Sequence, residues 1–297
     1  MIIIPGPASQ QLGKDIAKQL KVRMSPIEFT RFPDGESRIR FECGIEDDDI
    51  VIVQTTGPPQ NENLVQLLLM ADNAKDLKAK IITAVVPYFA YARQDQRFRL
   101  GEAFSLKTVV TLLKTCGVEK ILTVNSHNPA VLKTMPILIQ DLSAIPLLAE
   151  YYKNRGFYNA VSLSLGKKGL DTAIEANNVL KGGYDYIPTQ RDRTTGAVTL
   201  EEKTLLIKER DVVILDDIIS SGGTMIKAVV YAKRQGAKTV NVACVHPLLT
   251  EEVKNKILSA GADEIVATDS IQNPISVVSI APLIAEALAK KEARKRG

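Results

Sequence analysis

The same pattern occurs twice in this chain, and that constrains its fold more than any other feature. DIVIVQTTG (49–57) and DVVILDDIISSGG (211–223) each place an acidic residue before an apolar, β-rich run. Each run then enters a turn that ends in glycine, followed by a helical pattern. The next strands also correspond, AKIITAVVP (79–87) with AKTVNVACVHP (237–247), and so do AIPLLAEYY (144–152) and IAPLIAEAL (280–288). Three correspondences in one order imply a duplicated α/β domain. The expected fold class is two related domains, each a mainly parallel sheet flanked by helices. The division falls at 1–142 and 143–297, with the last helix assigned to the second domain or folded back onto the first.

Strands are expected at 2–4, 50–53, 81–86, 121–124, 137–139, 160–163, 184–187, 212–215, 240–245, 264–267 and 277–280. Helices are expected at 8–20, 61–78, 104–115, 144–154, 171–181, 223–235, 250–260 and 282–292. Leu64, Leu67, Leu68 and Ala71 are spaced for one buried helix face. The 297 residues are enough for two cores, and a net charge of +4 implies no extended nucleic-acid surface. No apolar run approaches a membrane span, and Met1–Gly6 is too short for a secretory signal. Cys43, Cys116 and Cys244 lie far apart, with no metal or disulfide spacing, so a reducing cytoplasm is the expected setting.

The two copies differ in their turns. The first has Gln54-Thr55-Thr56, whereas the second has Asp216-Asp217 followed by Ser220, Ser221, Gly222, Gly223 and Thr224. In open α/β sheets, ligands bind beyond the carboxyl ends of strands. Small residues at a helix N-terminus aim backbone N–H groups at one centre and suit a phosphate. The spacing is not that of a Walker loop. Carboxylates repel phosphate but accept hydrogen bonds from vicinal hydroxyls. The combination therefore reads as a phosphorylated sugar, the alternative being a plain turn with solvated aspartates.

VVILDDIISSGGT (212–224) resembles the phosphoribosyl-binding loop shared by type I phosphoribosyltransferases and ribose-phosphate diphosphokinase. The resemblance implies that Asp216 and Asp217 hold the ribose hydroxyls, while residues 220–224 hold the 5-phosphate. FPDGE (32–36) resembles the diphosphokinase segment that contacts adenine in a neighbouring subunit's site, through Phe32, Asp34 and Glu36. YARQDQ (91–96) resembles that family's ATP signature. There the implied contacts are Arg93, Gln94, Asp95 and Arg97, although Gln96 stands where arginine is common. TVNSHNP (123–129) resembles the element whose histidine meets magnesium-bound phosphates. His127 is thus the implied metal-site and catalytic histidine, with Asn125 in place of an aspartate. His246 in CVHP (244–247) is a weaker candidate.

The implied activity is Mg²⁺-dependent transfer of the ATP diphosphoryl group to ribose 5-phosphate by a homodimer or larger homo-oligomer. Arg191 and Arg193 fall in the implied catalytic loop, but Thr189 stands where lysine is expected. SLSLGKKG (162–169) lacks an expected aspartate near Ser164 and carries Lys167 and Lys168. A nucleotide-binding regulatory homologue without turnover explains these departures. A phosphoribosyltransferase explains the 212–224 turn but neither FPDGE nor YARQDQ.

Overall fold

The computed structural model describes residues 1–97, 99–191 and 198–296. The chain forms two compact units, residues 1–142 with 279–297, and residues 143–278. In the first unit the elements run β1 (Ile2–Pro5), α1 (Gln10–Leu20), β2 (Arg23–Met24), β3 (Ile27–Arg31), β4 (Ser37–Phe41), β5 (Asp49–Val53) and α2 (Gln60–Asp76). They continue with β6 (Ile81–Val86), α3 (Ser105–Thr115), β7 (Val118–Val124), α4 (Pro129–Leu132) and β8 (Leu138–Leu142). The second unit holds α5 (Ile145–Asn154), β9 (Val161–Leu165), α6 (Leu170–Leu180), β10 (Tyr184–Ile187), β11 (Thr189–Arg191), β12 (Val198–Leu200), β13 (Asp211–Ile219) and α7 (Gly223–Arg234). It ends with β14 (Thr239–Pro247), α8 (Glu251–Ser259), β15 (Glu264–Thr268) and β16 (Ser276–Val278). The final helix, α9 (Ala281–Arg296), returns to the first unit and packs on α1.

Each unit is built on a six-stranded sheet, ordered β2-β1-β5-β6-β7-β8 in one and β10-β9-β13-β14-β15-β16 in the other. All pairings within both sheets are parallel. In both, the chain starts on an inner strand, moves to one edge, and then crosses back to build towards the other. An antiparallel ribbon interrupts both sheets at the same topological point: β3–β4 in the first, β11–β12 in the second. Helices cover both faces of such sheets, so their central strands are apolar throughout. Ile50–Val53 and Val212–Leu215 are buried at every position.

Three features differ from the sequence expectation. The buried face of α2 is Leu67, Met70, Ala71 and Ala74, with Leu64 and Leu68 only partly covered. The ribbon β3–β4 pairs fully, with Ile27 opposite Phe41 and Phe29 opposite Ile39, a period-2 alternation that the strand expectation passed over; Ile27, Ile39 and Phe41 pack with the core of the unit. β13 does not stop at residue 215. It continues through both aspartates, with Asp216 opposite Cys244 and Ile219 opposite Pro247. Asp216 and Asp217 therefore stand on the last turn of a paired strand rather than in the loop beyond it.

Candidate functional site

In the second unit the chain reverses between the neighbouring strands β9 and β13. Such a switch point opens a crevice at the strands' carboxyl ends. The β13–α7 turn leaves from this position. Asp216 and Asp217 are half-buried, while Ser220, Ser221 and Gly223 are exposed. Gly222 has φ +73°, and a Cβ there would lie 2.4 Å from Val253 Cγ1. Both the backbone conformation and the close approach of α8 require glycine. At Gly223 a Cβ would meet nothing within 4 Å. The N-cap of α7 is Gly222, so no N-cap side chain occupies the helix start. The turn thus presents an open helix start next to two carboxylates.

The loop after β9 lies alongside, since Ser164 pairs with Leu215 in register. Lys167 and Lys168 are exposed there. The Ser164 hydroxyl is buried without a hydrogen-bond partner. Thr189 begins β11, and its Oγ1 lies 2.7 Å from where a Cβ on Gly166 would sit. Arg191 closes β11; Arg193 lies outside the described residues.

In the first unit, the loops after the adjacent strands β6 and β7 carry the other candidates. Arg93 and Arg97 are exposed and Gln94 is half-buried. Arg97 Nε donates to the Glu102 carbonyl at 3.1 Å. Tyr91 adopts φ +66°, a conformation unusual for a bulky residue and common in functional loops. Asp95 was expected at a nucleotide, but it is only 5% exposed, and its Oδ2 accepts from Asn128 Nδ2 at 2.6 Å. The carboxylate therefore points inward, because a buried charge needs a donor.

His127 is exposed on the β7–α4 loop. Asn125 takes φ +38°, a left-handed conformation in which asparagine and aspartate are among the favoured residues. Ser126 N and Oγ both donate to Asp141, Oγ at 2.7 Å. Burial raises the Asp141 carboxyl above its ordinary range, partly offset by the bonds from Ser126. Ser126, Asn128 and Asp141 escaped the sequence reading. Ser126 and Asn128 flank His127, but their partners lie 15 and 33 residues away.

The β3–β4 tip holds Phe32, Asp34 and Glu36 exposed, with Phe32 at 49%. Backbone bonds from Phe32 to Glu36 and from Gly35 to Phe32 close it. His246, by contrast, is 2% exposed, and its Nδ1 lies 2.9 Å from Ser270 Oγ. That hydroxyl donates to the Val245 carbonyl, so the ring nitrogen is the donor to Ser270. Cys244 is fully buried, and burial followed by the nearby Asp216 charge raises its thiol above the ordinary value, as for a small core residue.

A sequence family described as the N-terminal domain of ribose phosphate pyrophosphokinase matches residues 1–117, and the phosphoribosyl transferase domain matches 143–279. Ribose-phosphate pyrophosphokinase from Methanothermobacter thermautotrophicus is 39% identical, covering 97% of this chain and 99% of that protein. The chain belongs to the ribose-phosphate pyrophosphokinase family. The Saccharolobus solfataricus protein of that name is 37% identical over 94% of this chain and 97% of its own length. The crystal structure of phosphoribosylpyrophosphate synthetase from Mycobacterium smegmatis superposes with a TM-score of 0.86 at 26% identity, covering 100% of this chain and 99% of that one.

A ribose-phosphate pyrophosphokinase of this sequence is an enzyme, and its metal donors can be tested against the structure. Among the described residues no three of His, Cys, Asp and Glu converge as a metal cage.

Proposed function

We propose that this chain transfers the diphosphoryl group of ATP to the C1 hydroxyl of ribose 5-phosphate. The hydroxyl oxygen attacks the β-phosphorus and its proton leaves to solvent. The bond from that phosphorus to the α,β-bridging oxygen breaks, and AMP departs with the oxygen. Phosphoribosyl diphosphate is the other product. The observation that carries this reading is the β13–α7 turn, where a glycine-bearing helix start follows two strand-borne carboxylates.

Asp216 and Asp217 accept from the ribose 2- and 3-hydroxyls and so aim C1. Residues 220–224 hold the 5-phosphate with backbone donors. Arg93, Gln94 and Arg97 bind ATP phosphates, arginine offering forked donors that stay charged. Phe32 offers a ring face to adenine, and Asp34 or Glu36 accepts from its exocyclic amine. The resemblance puts this ribbon in a neighbouring copy's site, so a homodimer or larger homo-oligomer is part of the proposal. His127 would meet Mg²⁺ on the phosphates, and the ion supplies charge neutralisation in a reaction governed by positioning. Arg191 and Arg193 would neutralise the transferred group. The departure at Thr189 leaves that charge to them or to Lys167 and Lys168.

The test is AMP formation by purified protein with ATP and Mg²⁺, with and without ribose 5-phosphate. AMP that appears only with the sugar phosphate supports the reading. No AMP with all three present overturns it. ATP binding without turnover would favour the regulatory reading, in which case Thr189→Lys should switch turnover on.

A further inference from the structure

We infer that Asp95 and Asp141 are positioning residues that hold the His127 loop from both sides. The inference rests on the proposed role of His127 but can be tested without it. The residue before His127, Ser126, donates from N and Oγ to Asp141 on β8. The residue after it, Asn128, donates from its side-chain amide to Asp95 on the β6–α3 loop, at 2.6 Å. Asn128 occupies the N-cap position of α4, yet its side chain makes no capping bond there. It gives up the capping role typical of asparagine in order to reach Asp95. The exposed imidazole is thus carried on a loop whose two neighbouring residues are each tied to a carboxylate from a different element.

The Asp95 bond also joins two pieces of the nucleotide side. Asp95 follows Arg93 and Gln94 directly, and the Gln94 carbonyl accepts from Leu106 N at the start of α3. Asp95 is nine-tenths buried and so takes no part in contacting ligand from the surface. Its bond fixes the spacing between the Arg93–Gln94 segment and His127. Second contacts of this kind keep a reacting constellation within a fraction of an ångström of its working geometry.

The chain has two histidines, so its imidazole NMR spectrum has two sets of signals. His246 is buried and bonded to Ser270, which makes it an internal reference. Asn128→Ala and Ser126→Ala should each shift or broaden the His127 signals and leave those of His246 in place. The His127 signals are assigned by their loss in His127→Ala. In the AMP assay, Asn128→Ala should lower kcat roughly 10- to 100-fold, the scale of a misplacement near 1 Å. The exchanged pair Asp95→Asn with Asn128→Asp rebuilds the bond with donor and acceptor reversed. It should return the His127 signals and the rate towards those of the unaltered chain, which mere loss of packing would not do. Unchanged His127 signals in both alanine variants, or an exchanged pair no better than Asn128→Ala, would overturn the inference. A chain that makes no AMP would defeat the proposed reaction, while the spectra would still decide the clamp.

Discussion

The β5–α2 turn and the β13–α7 turn occupy the same place in two sheets of one topology, yet they treat their polar groups in opposite ways. In the first unit the turn is filled by its own side chains. Gln54 Oε1 accepts from Ala8 N at 3.0 Å, and its Nε2 donates to Gln66 Oε1 at 3.1 Å. Thr55 Oγ1 accepts from Tyr88 N, and Thr56 Oγ1 donates to the Tyr88 carbonyl and accepts from Ala90 N. Gln54, Thr55 and Thr56 are 0%, 4% and 0% exposed. Even Gly6 is needed as glycine, since a Cβ there would lie 2.3 Å from Gln54 Oε1. The crevice at the first switch point is therefore plugged. In the second unit the corresponding turn keeps Ser220, Ser221 and Gly223 exposed. A duplicated fold keeps its sheet wherever the apolar strands are kept. The second turn leaves its small residues open to solvent where the first buries its polar side chains.

The largest effect should come from closing the open turn. Asp216→Asn with Asp217→Asn removes two charged acceptors. A hydrogen bond to a charged group contributes about 1.5–3 kcal/mol, so the pair should lower kcat/KM about 10²- to 10⁴-fold for ribose 5-phosphate. Steady-state kinetics with the sugar phosphate varied would show it. A loss below tenfold would remove the sugar clamp from the proposal. Next comes Gly222→Ala, which combines a left-handed backbone with the 2.4 Å approach to Val253. Strain of about 1–2 kcal/mol and overpacking of about 1–3 kcal/mol should together lower stability by about 2–5 kcal/mol in urea unfolding. Gly223→Ala one residue on, with open space around it, should leave stability nearly unchanged.

Gln54→Ala sharpens the contrast from the other side. It unpairs the partly buried Ala8 N–H and the buried Gln66 Oε1, a loss of about 1–3 kcal/mol for each buried group left unsatisfied. Stability should fall while kcat/KM for ribose 5-phosphate holds. A fall in kcat/KM without a fall in stability would mean that the first turn is not merely a plug.

How far the chain could be read from its sequence follows from the same physics. The apolar strand runs were legible because parallel strands covered on both faces are apolar at every position, as in Ile50–Val53. The β3–β4 ribbon was harder to read, because IEFTR and SRIRF alternate over only two apolar positions each, set among charged residues. The extension of β13 was hidden for a related reason. Two aspartates in series read as a turn, and only the register with β14 keeps them in the sheet. At the site, the resemblance of short motifs singled out Asp216, Asp217, Arg93 and His127, and each stands at or beyond the carboxyl end of a strand. Asp95 was placed at the nucleotide because a motif records which residue is present and not which way it points. Its orientation depends on Asn128, 33 residues away.

The smallest expected effect contrasts two kinds of carboxylate. Asp216 and Asp217 accept from the backbone N–H of the next residue, whereas Asp141 accepts from Ser126, 15 residues away. Burial raises the folded-state carboxyl of Asp141 above its unfolded value, and the Ser126 bonds offset this only in part. The folded chain then holds this proton more tightly than the unfolded chain. By linkage, stability from this group is highest below the unfolded carboxylate range and falls as pH rises through the folded value. Asp141→Asn removes the titration while keeping an oxygen that can accept from Ser126. The difference in unfolding free energy between the two chains should therefore shift in favour of the asparagine variant between about pH 3 and pH 6, where carboxylates titrate. Urea unfolding across that range measures it, and a difference independent of pH would show that Ser126 compensates the burial in full.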